Sequence, residues 1–439
     1  CWTLGITEHH NASDNVHALI NLALLTGHVG RHGSGLQPVR GQNNVQGGGD
    51  MGAIPNKLPG FQDIESNDEA CARFEESWGT PIRRKSGWHM SQMLDAMGRG
   101  ELTALYVLGE NPVQSDADSH HVRELLTGLE CLVVQDIFLT ATAELADVVL
   151  PASASWCESE GCVTSSERRV QRVRAALKPP GQARDDIEIL SALAGRLGPE
   201  WAYRGAEDAW DELRSLAPNH AGMSYARMEE LGGIQWPCWD ENHPGSPFLH
   251  GWVWDDPFER APAPFKAVEH AGPVDEINDE FPLLLTTGRR LDSFNTGVQS
   301  GGYASPLRRP EELELSPVDA ERLGIADGEV VRVSSRRGSV NTPVRVQPAL
   351  RQGLAFMTLH FPDQVATNVL TINAVDPASG TAEFKASAIR VDRLGDAAAA
   401  AETLAGAHAD GPNGGSAGPN GGSVTSRRDA PVPATTGAD

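Results

Sequence analysis

Residues 38–56 carry an unusual set of polar side chains around a single arginine, Arg40. Four side-chain amides and five glycines lie between residues 41 and 52: Gln42, Asn43, Asn44, Gln46, Gly41, Gly47, Gly48, Gly49 and Gly52. An amide offers a donor and an acceptor together, which suits the edge of a pterin or a guanine. The fork of an arginine can hold a small carboxylate at two points. With no apolar period, the stretch is predicted to be an ordered loop, and its composition equally allows a polar surface loop whose Gly and Asn only supply turns.

A second group of polar residues follows the predicted strands of residues 102–151. Short apolar strands at 105–108, 131–134 and 147–151 alternate with helices, which predicts a parallel sheet covered on both faces. Ligands of such sheets bind at the carboxyl ends of the strands, beside helix N-termini that suit a phosphate. The polar residues at those ends are Asn111, Gln114, Ser115, Gln135 and Asp136. A flavodoxin-like sheet with merely polar turns is the alternative, since this segment has no Gly-x-Gly-x-x-Gly motif.

The elements before and after this segment follow from local signals. Residues 2–10 are predicted to form a strand, and residues 15–26 a buried helix capped by Ser13-Asp14, because its apolar side chains leave little room for a solvent face. A helix that begins at Ser115 or Asp116 is predicted to end at Leu129, and an amphipathic helix over 187–197 follows Asp185 and Asp186.

The C-terminal third has a different pattern, beginning at Phe281. Short strands at regular spacing, a capped helix at 316–324 and a hairpin at 330–346 predict a small β-barrel. Beyond residue 394 the chain is rich in Ala, Gly, Ser, Pro and Asn. Such a tail cannot bury enough apolar surface to fold, so residues 395–439 are predicted to be disordered.

Composition and charge exclude several classes of protein. A net charge of −23 over 439 residues argues against a nucleic-acid partner, and no apolar run approaches the length that spans a membrane. The six cysteines are scattered, with no Cys-x-x-Cys pair, which fits a reducing compartment and offers no zinc or iron–sulfur site in this chain. For the histidines near the first helix (His9, His10 and His17), a structural, hydrogen-bonded role is favoured over metal binding.

Residues 39–47 read Val-Arg-Gly-Gln-Asn-Asn-Val-Gln-Gly. This sequence resembles, without departure, the substrate loop of the molybdenum- or tungsten-dependent formate dehydrogenases of the dimethyl-sulfoxide-reductase superfamily. The resemblance implies that Arg40 holds formate beside the metal and that Gln42 contacts the pterin cofactor. The Gly-Glu-Asn-Pro turn that begins at Gly109 and the Val-Gln-Asp strand end at 134–136 match the family's sites for a guanine-dinucleotide arm of that cofactor.

The resemblance extends over roughly residues 1–394. It implies a parallel-sheet, Rossmann-like molybdopterin-binding domain followed by a C-terminal double-psi β-barrel that closes over the cofactor. Asp186 aligns with a residue that contacts the guanine, and the implied barrel contacts are Thr287, Gly288, Arg289, Asn368, Phe384 and Lys385. The sequence departs from the family's common form at residues 291–297, which contain no histidine.

The same resemblance suggests how the chain divides into domains. Residues 1–40 would end a split α/β domain with the substrate loop, and residues 41–151 would bind the bis-pterin guanine dinucleotide. Residues 152–275 would form a mixed connecting domain. Residues 276–394 would form the dinucleotide-binding barrel, before the tail.

The activity implied is oxidation of formate to carbon dioxide, with two electrons passing to a molybdenum or tungsten centre. The cofactors would be two molybdopterin guanine dinucleotides and the metal, and the partners formate and electron-transfer subunits or domains, without direct membrane insertion. In the family, the metal-ligating residue and a four-cysteine iron–sulfur motif lie upstream of this loop, and neither is found in this chain. This polypeptide alone is therefore expected to be inactive, and its predicted location is the cytoplasm. The alternatives are an inactive cofactor-binding module and another superfamily oxidoreductase, such as a nitrate reductase.

Overall fold

The computed structural model describes residues 1–155, 157–254, 262–290, 293, 309–362 and 364–395. Within it, Cys1–Arg393 is one compact unit, and the predicted domain boundaries stay predictions. Nearly all of the predicted disordered tail and most of residues 291–297 lie outside the described residues. No helix in the described ranges is long and apolar enough to cross a bilayer.

The described α-helices are α1 (Leu4–Thr7), α2 (Ala12–Leu25), α3 (Val45–Asp50), α4 (Asp68–Trp78), α5 (Met90–Gly98), α6 (Pro112–Ser115), α7 (Ser119–Thr127), α8 (Asp186–Leu197), α9 (Ala206–Leu216), α10 (Tyr225–Leu231) and α11 (Pro317–Leu323). The described strands are β1 (Lys57–Leu58), β2 (Gln62–Asp63), β3 (Ala104–Leu108), β4 (Cys131–Asp136), β5 (Val148–Pro151), β6 (Gly161–Thr164), β7 (Arg169–Val173), β8 (Ile234–Gln235), β9 (Leu283–Gly288), β10 (Leu313–Leu315), β11 (Val330–Ser334), β12 (Ser339–Val346), β13 (Leu354–Thr358) and β14 (Ser387–Arg393).

The N-terminal segment differs from its prediction in two ways. Residues 2–10 do not form a strand: the short helix α1 lies there, and Trp2 makes only an isolated parallel bridge with Pro38. The helix predicted next is present as α2, but it is not buried. Ala12 is its one buried residue, and Leu22 and Leu25 are 58% and 74% exposed. An apolar run shows that a helix can be buried, but burial requires another element to pack on that face.

The prediction that the whole polar stretch 38–56 is a loop is wrong, because the short helix α3 occupies its centre. Asn44 precedes this helix with a φ of 66°, and its side-chain oxygen accepts a hydrogen bond from the Thr164 N–H at 2.9 Å. Three of the six residues of α3 are glycines, which disfavour a helix locally. Tertiary contacts therefore hold this helical turn, and no sequence period reveals it.

The parallel sheet predicted for residues 102–151 is confirmed, with strand order β3-β4-β5. Val107, Leu132 and Val134 pack with residues of α5 and α7 to form its core. The predicted cover is incomplete at the edge strand, where Val148 and Val149 are 46% and 38% exposed. The helix predicted to begin at Ser115 or Asp116 is instead two helices, α6 and α7, since a proline at the first position of α6 starts it directly after Asn111.

The C-terminal barrel is also confirmed. Its six strands close in the order β10-β12-β11-β14-β9-β13, with parallel pairs β10–β12 and β9–β13. Alternate residues of β9 and β11 (Leu283, Leu285, Val331 and Val333) point into its core. The predicted hairpin is β11–β12, and α11 begins at the predicted cap, where Ser316 Oγ accepts a hydrogen bond from the Asp319 N–H at 3.1 Å.

Three side-chain pairs join the segment around α1 to the chain just before β14: His10 with Glu383 at 2.9 Å, Ser13 with Asp376 at 2.8 Å, and Glu8 with Lys385 at 2.8 Å. Burial alone would raise the pKa of Glu383. Hydrogen bonds from His9 and His10 outweigh that effect, so the pKa lies below its ordinary value. His9 and His10 thus have a structural partner in Glu383.

Replacing Lys385 with methionine is expected to lower the free energy of unfolding by about 3 kcal/mol, because it leaves the buried Glu8 carboxylate without its countercharge. The Glu8 and Lys385 side chains are only 12% and 7% exposed. Arg99→Met is the control: it breaks an ion pair with Glu101 that is also 2.8 Å long but is half-exposed, so the free energy of unfolding should change much less. Chemical denaturation measures both, and equal losses would contradict the prediction.

Candidate functional site

Arg40 has an exposed side chain that is held at its base. Its backbone N–H donates to Ser166 Oγ at 3.2 Å, and Ser166 lies in the tight turn between β6 and β7. One guanidinium nitrogen, Nη2, donates to Gln46 Oε1 at 3.2 Å. The backbone is therefore anchored from a distant hairpin, while much of the guanidinium remains accessible to an anion.

Asp50, at the end of α3, lies behind this arginine and is only 3% exposed. Gln46 Nε2 donates to Asp50 Oδ1 at 2.9 Å, whereas Asp50 Oδ2 is buried without a hydrogen-bond partner. Burial raises the pKa of Asp50 to about 6. The side-chain donors of Gln46 and Trp236 and the positive charges of Arg40 and Arg168 act in the opposite direction but are weaker. Sequence reasoning missed Asp50; the only available signal was a lone carboxylate directly after three glycines.

The raised pKa of Asp50 predicts how stability depends on pH. The folded protein binds this proton more tightly than the unfolded chain, so stability falls as the pH rises from about 4 to about 6 and then levels off. The difference between the two pKa values corresponds to about 3 kcal/mol. We expect Asp50→Asn to remove this part of the pH dependence. The measurement is the free energy of unfolding from chemical denaturation at a series of pH values between 4 and 8. An identical slope in the variant would contradict the assignment.

A cavity of about 560 Å3 brings the loop and the sheet edge together. Its lining includes Gln42, Asn44, Gly109 and Glu110, together with the start of β6. Gly109 has a φ of +65°, and the space beside its α-carbon is open. The cavity therefore lies between the polar loop and the Gly-Glu-Asn-Pro turn after β3, and a flat ligand can approach the backbone there.

At the carboxyl end of β4, the Gln135 side chain is fully buried and uses both ends of its amide. Its oxygen accepts a hydrogen bond from the Tyr106 hydroxyl, and its nitrogen donates to Asp186 Oδ1 at 2.5 Å. Burial raises the pKa values of Asp136 and Asp186, and repulsion between the two carboxylates adds to the shift of Asp186. The structure thus brings together Gln135, Asp136 and Asp186, which come from separate parts of the chain, and their contact with a cofactor stays a prediction.

The turn after β3 is braced by its own amides. Asn111 donates to Gln114 Oε1 at 2.7 Å and accepts from the Thr142 hydroxyl at 2.8 Å. Ser115 Oγ donates to the Asn111 carbonyl at 3.2 Å. Asn368 of the barrel then donates to the carbonyls of Gln114 and Ser115 at 2.9 and 3.1 Å. These four predicted site residues therefore meet, and their contacts link the sheet to the barrel.

The other predicted barrel residues form a separate group. Thr287 Oγ1 donates to the Phe384 carbonyl at 2.8 Å, and Lys385 Nζ donates to the Thr287 carbonyl at 3.0 Å. Gly288 is packed so tightly that an added β-carbon would lie 2.7 Å from the Phe356 ring, and Arg289 beside it is exposed. In the ranges that the structure covers, no hydrogen bond or ion pair joins Arg40 to these barrel residues.

The described residues contain no group of three or more His, Cys, Asp or Glu side chains arranged to hold a metal ion. The six cysteines are free thiols, and burial raises the pKa of Cys162 to about 12. Within the described part of the chain, the site thus consists of the loop that carries Arg40 and a cavity beside this loop. Amides and carboxylates line the cavity, a set of groups that suits a polar heterocycle.

Comparison with known proteins identifies the group to which this site belongs. The molybdopterin oxidoreductase family matches residues 1–196, and the molybdopterin dinucleotide-binding domain matches residues 283–388. The chain belongs to the molybdopterin oxidoreductases. Its cofactor is accordingly a molybdopterin, and both the parallel sheet and the six-stranded barrel are those of the family's fold.

Individual relatives of this molybdopterin oxidoreductase are similar over most of the chain. It is 43% identical over 398 residues to the F420-dependent formate dehydrogenase 2 subunit alpha of Methanococcus maripaludis, covering 90% of this chain and 58% of that protein. It is 36% identical over 407 residues to formate dehydrogenase H of Escherichia coli, covering 91% and 56%. The chain thus spans somewhat more than half the length of these relatives. Acetylene hydratase from Pelobacter acetylenicus shares the fold, with a TM-score of 0.51 and 18% identity over 75% of this chain and 51% of that one.

The residues around the cavity fit a molybdopterin dinucleotide. Open space beside Gly109 leaves room for a flat ring system, and Gln42 lines the same cavity with an exposed amide. By contrast, the side chains of Asn111, Gln135 and Asn368 already have protein partners at both ends. Among the predicted residues, Gln42 therefore has a polar group that is exposed in the cavity, whereas Asn111, Gln135 and Asn368 use theirs to hold other parts of the protein in place.

Proposed function

We propose that the intact protein oxidises formate to carbon dioxide and that this chain supplies the arginine that holds the formate. The observation that carries the proposal is the state of Arg40: its backbone is anchored by Ser166, one guanidinium nitrogen is oriented by Gln46, and the rest of its side chain is accessible. The 36–43% identity to the two relatives named formate dehydrogenases supports the choice of substrate.

Arg40 would bind the formate carboxylate through two parallel charge-assisted hydrogen bonds and so fix the direction of its C–H bond. Its positive charge offsets that of the anion until the neutral product forms. Formate loses one proton and two electrons as it becomes carbon dioxide. The molybdenum or tungsten pterin group, when bound, supplies the chemistry that accepts those electrons. The chain's own task is to bind and orient the substrate.

The cofactor would be two molybdopterin guanine dinucleotides carrying molybdenum or tungsten. The exposed Gln42, Gly109 and Arg289 and the half-buried Asp136 and Asp186 would contact it. The residues that would shape the two arms from behind are Asn111, Gln114, Ser115, Gln135, Thr287, Gly288, Asn368, Phe384 and Lys385. We further propose an iron–sulfur cluster bound by a part of the intact protein other than this chain, electron-transfer subunits or domains as partners, and a cytoplasmic location.

The test is an assay of the intact protein with formate and a viologen dye as electron acceptor. Formate-dependent dye reduction is the expected result, and the chain of residues 1–439 alone should show none. Nitrate-dependent oxidation of reduced dye, without formate activity, would instead identify a nitrate reductase. Tight cofactor binding with neither activity would identify a cofactor-binding module.

A further inference from the structure

The Gln46 amide connects Arg40 to Asp50 in a single orientation. A carboxylate can only accept hydrogen bonds, so the NH2 group of the Gln46 amide must face Asp50, where Nε2 lies 2.9 Å from Oδ1. A guanidinium can only donate, so the amide oxygen must face Arg40, where the distance is 3.2 Å. As long as Asp50 is ionised, it can therefore bond only to the amide NH2 group of Gln46, and the amide oxygen is left to face Arg40.

Asp50 itself cannot easily move. Its main-chain carbonyl accepts hydrogen bonds from the N–H groups of Gly60 and Phe61 at 2.7 and 3.2 Å. The charged groups that face its carboxylate are Arg40 from the loop and Arg168 from the β6–β7 turn. Asp50 is thus a fixed, buried anchor at the end of a six-residue helix.

Burying a carboxylate in this way does not serve stability. Its second oxygen makes no hydrogen bond of normal geometry and has only the Trp236 indole nearby as a donor. A carboxylate that is incompletely paired inside a protein is less favourable than a neutral group of the same shape. A group that is costly to the fold but placed behind an exposed ligand-binding arginine is best explained by what it does for that arginine.

We propose that Asp50 is a positioning residue for Arg40 and acts through Gln46. The Asp50 carboxylate orients the Gln46 amide, and the amide oxygen holds one arm of the guanidinium so that the other nitrogens face the bound anion. This inference rests on the proposed function and adds to it two residues, Gln46 and Asp50, that control substrate affinity. When Asp50 takes up a proton, it can donate to Gln46 Oε1 and turn the amide, which releases Arg40.

The inference is tested with Gln46→Met and Asp50→Asn in the intact protein. We expect Gln46→Met to raise the KM for formate about tenfold, since a hydrogen bond to a charged group contributes about that much, while kcat changes less. In the native protein, KM should rise as the pH falls below about 6, where Asp50 gains its proton. In Asp50→Asn this pH dependence should be absent. Unchanged KM values and pH profiles in both variants would overturn the proposal.

Thermal unfolding separates positioning from a structural role. A structural carboxylate would lower Tm when replaced, whereas Asp50→Asn should raise Tm at pH 7.5, by about 2 °C, while weakening substrate binding. The matched control is Gln62→Met. Gln62 also accepts from an arginine, Arg73 at 2.5 Å, and donates to a main-chain carbonyl at 2.8 Å. The Gln62→Met variant should change Tm and leave the KM for formate unchanged.

A binding measurement distinguishes failure of this inference from failure of the proposed function. Nitrate, a planar monovalent anion, is titrated calorimetrically into the oxidised protein without an electron donor, so no turnover is needed. Weaker nitrate binding in Gln46→Met and Asp50→Asn than in Gln62→Met supports the positioning role, even if formate is not a substrate. Equal affinity in all three proteins, together with normal formate oxidation, leaves the proposed function standing and rejects the role of Asp50.

Discussion

Replacing Arg40 with lysine is expected to raise the KM for formate about 30-fold and to lower kcat far less, because charge-assisted hydrogen bonds are each worth about 1.5–3 kcal/mol. Lysine keeps the positive charge but presents a single ammonium group on a flexible stem. It can neither grip a carboxylate at two points nor keep the present geometry with Gln46, whose oxygen lies 3.2 Å from Arg40 Nη2.

Steady-state kinetics with formate, across a range that brackets both KM values, measures this effect. Arg83→Lys is the matched control, since Arg83 is likewise exposed but lies outside the loop and the cavity. If Arg40→Lys shows the same KM as the control, Arg40 does not bind the substrate, and the proposed function loses the observation that carries it.

Replacing Gly47 with alanine is expected to cost about 3 kcal/mol of folding free energy, because overpacking and the loss of a buried hydrogen bond act together. Gly47 is buried, and a β-carbon added to it would lie 2.0 Å from Asn44 Oδ1. That oxygen accepts the hydrogen bond of the buried Thr164 N–H, so it cannot move away without leaving the donor unsatisfied. The loop beside the cavity should shift as well, and formate oxidation should fall with it.

The neighbouring glycine provides an unusually close control. Gly48 lies in the same helical turn, but nothing is within 4 Å of an added β-carbon there. Gly48→Ala should therefore be neutral or stabilising by up to about 1 kcal/mol, because alanine favours the helix. Chemical denaturation of the two variants decides the matter. Similar free energies of unfolding for both would show that the contact between Gly47 and Asn44 does not constrain the loop.

Local signals in the sequence were sufficient for much of the fold. The continuous apolar runs at 105–108 and 131–134 are strands of a parallel sheet, as predicted, because a strand covered by helices needs apolar residues along its length. The caps Asp185 and Ser316 mark the starts of α8 and α11, because capping involves residues two or three positions apart. The match at residues 39–47 singled out Arg40 and Gln42 before any geometry was known, and their roles stay predictions.

What the sequence determined by itself was therefore the family, the parallel sheet, the barrel and the loop that carries Arg40. Only the tertiary structure decided that this loop contains a helix, that α2 is exposed, and that Asp50 lies buried behind Arg40 near Arg168 and Trp236. The physical reason is separation along the chain. Helix caps and apolar periods depend on residues close together in the chain, so they can be recognised in the sequence. Residues more than a hundred positions apart meet only when the chain packs. It is this packing that buries Asp50 and raises its pKa.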